Sequence, residues 1–129
     1  MKISTVIARI LLGLIFVVFG SNVFLHFIPT PPMPAGPIQD FTNVMMVTHY
    51  MLVVGFFQVL GGLLLFIPRF VPLGLTILAP ILVNILTTHI LVMHGGLFPV
   101  PILCVLLWLL IFWRYRSAFA GILGAETVA

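Results

Sequence analysis

Few side chains in this 129-residue sequence can do chemistry, and most of those are neutral. His26, His49, His89 and His94 are its four imidazoles, and Asn22 and Asn84 are amides set inside apolar runs. An imidazole can move a proton, ligate a metal or hydrogen-bond a polar headgroup. The only carboxylates, Asp40 and Glu126, lie outside the apolar runs, which argues against proton transfer through buried acids. The single cysteine, Cys104, leaves no disulfide, C-x-x-C pair or thiolate cluster within the chain. It reads as a small buried hydrophobe. No nucleophile stands with a base and an orienting group, so no independent catalytic activity is expected.

Binding is the remaining chemistry. Met45, Met46, Met51 and Met93 near the histidines are soft ligands of the kind copper accepts, and His49 with His89 could bracket a haem. No H-x-x-x-H pair lies on any one helix, and methionine commonly fills bundles, so no metal or haem is expected. A quinone headgroup asks only for a donor or two near the membrane interface and an apolar slot. The twelve phenylalanines and the histidine–asparagine set suit that better. The cofactor-binding candidates are Asn22, His26, His49, Asn84 and His89.

The elements that must carry these residues are membrane helices. The chain is 63% hydrophobic and 5% charged, with a mean hydropathy of +1.38. Seven charged side chains cannot cover a soluble domain of this size. The stretch RFVPLGLTILAPILVNILTTHILVMHGG (69–96) is long enough to cross a bilayer of about 30 Å. Yet it holds Pro80, Asn84, Thr87, Thr88 and His89. Polar groups in hydrocarbon are costly unless they face other helices, water or ligand, so this stripe is expected to turn inward. Asn84 is expected to hydrogen-bond across to the first helix, where Asn22 lies at similar depth.

Four spans are predicted, at about residues 3–28, 44–67, 70–93 and 98–116, forming a single all-α membrane bundle over 1–129. The proline-rich stretch 29–43 reads as a non-helical connection, either a lid or a rigid spacer. Gly55, Gln58 and Gly62 share one stripe suited to close helix contact, with Gln58 reaching a neighbour. Lys2, Arg9, Arg69, Arg114 and Arg116 then fall on one side, which places both termini in the cytoplasm. Arg9 is expected to snorkel to that interface. Basic residues spread over span ends are topology signals, not a nucleic-acid surface. All four histidines fall within roughly 8 Å of the outer interface by the helical rise.

The segments ARILLGLIFVVFGSNVFLHFIPTPP (8–32), GGLLLFIPRFVPLGLTILAPILVNILTTHI (61–90) and WRYRSAF (113–119) resemble the DoxX-like membrane proteins. That resemblance implies a four-helix bundle. It also implies association, as in some relatives, with quinone-linked sulfur oxidation or membrane oxidoreductases. Relatives often carry a lysine after the first-helix asparagine, where this chain has Val23. They often carry an acid in the fourth helix, where it has Trp108. Both departures remove charge.

The resulting expectation is a small, mainly structural subunit of a larger redox or energy-converting complex in a bacterial or archaeal inner membrane. Its partners would be the lipid bilayer and other membrane subunits. The alternatives are a quinone- or lipid-binding electron-transfer component using the outer-face residues, and a small transporter of a neutral solute.

Overall fold

A computed structural model describes residues 2–28, 33, 35–94 and 100–120. The proline-rich residues 29–32 with Pro34, residues 95–99, expected to form the second outer connection, and the tail 121–129 lie outside the described residues. The expected start of the fourth helix at 98 lies outside them as well. What is described is all-helical, with no strand.

Helix α1 (Lys2–Leu25) is an unbroken 24-residue run. Helix α2 (Pro37–Val47) leads to α3 (Tyr50–Phe66). A 3-10 turn, Pro68–Phe70, feeds α4 (Val71–Thr87), which continues as a π-helical turn, Thr88–Met93. Helix α5 (Val100–Arg114) is followed by a 3-10 turn, Arg116–Phe119. Two runs are long and apolar enough to cross a membrane: Lys2–Leu25, and Pro68–Met93 with 26 residues. The pair α2 and α3 makes a third if the two are one broken span, and α5 is a shorter apolar helix.

Helix α1 packs chiefly on α3, α3 on α4, and α5 closes the ring by touching both α4 and α1. The core inside this ring is mostly aliphatic, with Phe16, Phe119 and Cys104 also buried. Leu12, Leu65, Leu75, Leu78 and Ile111 are fully buried there. Glycine sets the α1–α3 spacing. A methyl placed on Gly62 would lie 2.8 Å from the Gly13 carbonyl oxygen, and one on Gly20 would lie 2.9 Å from that of Gly55. Without hydrophobic drive between helices in lipid, such close backbone approach supplies the packing. The predicted Gly55–Gln58–Gly62 stripe is this seam. Gln58 is buried at 7% exposure, but its amide makes no hydrogen bond among the described residues.

Two sequence expectations need correction. Residues 37–43, read as part of a non-helical connection, form the first turns of α2. Pro37 occupies the first helical position, where a missing N–H costs nothing, and Asp40 sits in the first turn. The straight span expected over 44–67 is also broken. Helices α2 and α3 meet at 84°, and α2 lies against α3 and the π-helical turn. The break is local backbone chemistry. The Thr48 hydroxyl and N–H both donate to the Val44 carbonyl, and His49 adopts a left-handed conformation with φ 60°.

Candidate functional site

That elbow assembles the end of the bundle to which α1 runs. Turning α2 across α3 brings Met45, Met46, His49 and Met51 to the end of α1, where Phe24 and His26 complete a pocket of about 390 Å³. Both imidazoles are exposed at its edge. His26, His49 and His94 are the three non-glycine residues with positive φ among the described residues. Each ends or interrupts a helix, a position where glycine or asparagine usually serves.

Of the five predicted binding residues, the fold brings only His26 and His49 together. Asn22 Oδ1 accepts the Ile28 N–H at 2.7 Å, so its side chain closes the C-terminal end of α1. Asn84 is exposed and donates from Nδ2 to the Pro80 carbonyl at 3.0 Å. The expected bond from Asn84 to Asn22 is therefore absent, each amide being engaged on its own helix or the residues just after it. His89, on the π-helical turn, donates from Nδ1 to the Ile85 carbonyl at 2.7 Å. That choice of tautomer leaves Nε2 as an acceptor.

The polar stripe of α4 is also turned the other way from expectation. Thr76, Pro80, Asn84 and Thr87 are exposed, on the side away from the chain's own core. Their needs are met locally. The hydroxyls of Thr76, Thr87 and Thr88 donate to the carbonyls of Pro72, Val83 and Asn84, each four residues back. A helix apolar on nearly all sides can be rotated by packing alone, and the glycine seam with α3, where Gly74 meets the Gly61 carbonyl, decides the rotation.

The opposite end, where α1 begins and α5 ends, holds a second cavity, of about 410 Å³, lined by Lys2, Thr5, Arg9, Arg114, Tyr115 and Ser117. Arg9 is 8% exposed. Its Nε donates to the Leu65 carbonyl at 2.9 Å and its Nη2 to that of Phe66 at 3.2 Å, capping the last turn of α3. These are carbonyls that a helix end leaves unpaired.

No family model, curated protein or solved structure matches this chain.

Its sites are therefore read from their own geometry. Two residues that sequence reasoning did not place in a site prove to hold helices together: Arg9, and Trp108, whose Nε1 donates to the Leu75 carbonyl of α4 at 3.0 Å. For Arg9 the available signal was a cation set two turns inside an apolar helix. For Trp108 it was an indole donor in mid-span, which rarely goes without an acceptor.

Proposed function

We propose that this protein is a small accessory subunit of a larger redox or energy-converting membrane complex, and that its role is structural. In this reading α1, the α2–α3 pair, α4 with its π-helical turn, and α5 are four spans of an inner membrane, with both termini cytoplasmic. The observation that carries it is the outward stripe Thr76–Pro80–Asn84–Thr87. Small and polar residues at helical spacing are what membrane helices bring to an interface. Here they face away from the chain's own bundle. Asn84 keeps its carbonyl oxygen and one N–H for a second helix, since its only bond uses the other N–H. The redox setting rests on the DoxX-like segments alone.

A photo-crosslinking residue at Thr87 is expected to give a discrete adduct with one membrane subunit. The same probe at Leu14, exposed on α1, is expected to label lipid. Equal adducts from both faces would overturn the docking role. The adduct should vanish in Asn84→Leu while the protein still inserts.

A second reading has one observation in its favour, the shared pocket of His26 and His49. It would be a quinone headgroup site near the outer face. Quinone extracted with the purified protein, and lost in His49→Ala, would favour it. Stoichiometric copper by elemental analysis would replace quinone as the ligand.

A further inference from the structure

The second cavity holds three cations and, among the described residues, no counter-charge. Lys2 and Arg9 reach it from the first turns of α1 and Arg114 from the end of α5, with the Tyr115 and Ser117 side chains beside them. The partners of Arg9 are two neutral carbonyls, although nine-tenths of the residue is buried. A guanidinium has five N–H donors, and two are used. The only acid among the described residues is Asp40, in the first turn of α2 at the opposite end of the bundle. The remaining two cations are differently placed. Arg69 lies 5.5 Å from the Phe70 ring centre, and Arg116 lies 4.2 Å from that of Trp113 while donating to the Trp113 carbonyl at 2.7 Å. Neither lines the cavity.

A buried cation without an anion is costly, and the cost falls when an anion completes the site. We propose that this cavity binds a phosphate group, supplied by the headgroup of an anionic phospholipid. Arg9 is held rigid by the end of α3 and offers its unused N–H groups. Lys2, two turns before Arg9 on α1, and Arg114, at the end of α5, close on the phosphate, and Ser117 and Tyr115 bring hydroxyls to the same lining. A free phosphate has the same oxygen chemistry, but a lipid also lays its chains along the apolar outer surface of α1, where Ile3, Val6 and Ile10 are exposed. Basic pockets between membrane helices on the cytoplasmic side take phosphate headgroups in this way. The site depends on membrane insertion but not on any partner subunit.

The test uses the full chain in nanodiscs of phosphatidylcholine doped with phosphatidylglycerol, followed by native mass spectrometry of retained lipid. Phosphatidylglycerol is expected to be retained in preference to phosphatidylcholine. The exposed double variant Lys2→Gln/Arg114→Gln should lower that preference by roughly 25-fold, at about fivefold per cation. Arg69→Gln/Arg116→Gln removes the same charge from the same end without touching the cavity lining and should change it far less. Equal losses in the two double variants would mean general attraction to the membrane surface and overturn the site. Inorganic phosphate that raised the melting temperature in pure phosphatidylcholine discs as much as phosphatidylglycerol does would overturn the lipid as its source. If lipid bound only after Glu126→Gln, the tail carboxylate would be the occupant and the proposal would fail. Failure to enter discs of any composition would sink the membrane reading and the proposal with it.

Discussion

The α1–α3 seam and the outward face of α4 use the same helical spacing for opposite ends. On the seam, Gly13 and Gly20 come close to the Gly62 and Gly55 carbonyls, with Val17, Val23, Val59 and Phe66 side chains packed around them. On the α4 face, Thr76, Pro80, Asn84 and Thr87 recur at similar intervals and are exposed among the described residues. The seam is complete within the protein. The face is polar enough to be a poor lipid contact, yet each hydroxyl or amide is tied to its own helix. On the proposed reading, the protein inserts by its own seam and keeps the α4 face for another helix.

The sharpest way to break this contrast is to add volume to the seam. Gly62→Val adds three carbons where a Cβ alone would lie 2.8 Å from the Gly13 carbonyl and 3.0 Å from Val17 Cγ2. Both contacts are on α1, and one is backbone, so α1 and α3 must separate. Overpacking of this kind costs about 1–3 kcal/mol, and the upper end is expected where backbone cannot yield. Thermal unfolding in detergent should show a larger loss for Gly62→Val than for Trp108→Phe or Asn84→Leu. An unchanged melting temperature would mean that the seam is not the joint that holds the bundle.

A middle-sized effect belongs to the α4–α5 contact. Trp108→Phe keeps a ring against Phe112, with which Trp108 stacks at 5.2 Å and 7°. It removes the N–H that reaches the Leu75 carbonyl. Interhelical hydrogen bonds in membranes are worth about 0.6 kcal/mol on average and up to about 1.7. A loss in that range is expected by the same measurement, smaller than that of Gly62→Val. A loss as large as the glycine variant would place the main joint at α5 instead.

These two contacts were unequally legible in the sequence. The apolar runs of α1 and α4 follow from composition and length, and the Gly55–Gln58–Gly62 spacing marks a close helix face without any structure. The direction of the α4 stripe was not legible. A helix that is apolar almost all round carries no periodic signal strong enough to orient it, so a polar residue reads as inward by cost alone. The elbow was hidden for a different reason. Thr48–His49 contains neither proline nor glycine, and a histidine in the left-handed region has no sequence mark. Proline density hid the start of α2, although Pro37 is where a proline begins a helix. At the candidate sites, His26 and His49 line one pocket, a pairing across chain segments that their spacing could not give, while Asn22, Asn84 and His89 satisfy themselves locally. The role of Arg9 depends on which helix end packs beside it, a tertiary fact.

The smallest stability effect is expected on the α4 face, and it separates the two regions most cleanly. Asn84→Leu removes one exposed bond to the Pro80 carbonyl and no contact with another helix of this chain. The carbonyl of Pro80 remains the ordinary acceptor for the backbone N–H four residues later, so no buried group is orphaned. Leucine is also better tolerated by lipid than an amide. The isolated protein should therefore unfold within about 0.5 kcal/mol of the parent, as exposed substitutions usually do. Association should respond instead. If the stripe is a docking face, Asn84→Leu should abolish the Thr87 crosslink while leaving the melting temperature unchanged. Gly62→Val should do the reverse in order of cause, lowering stability first and association only through it. A stability loss of about 1 kcal/mol or more for Asn84→Leu in the isolated protein, the scale of an interhelical bond in a membrane, would mean that Asn84 turns inward there. The contrast between seam and face would then collapse into a single internal interface.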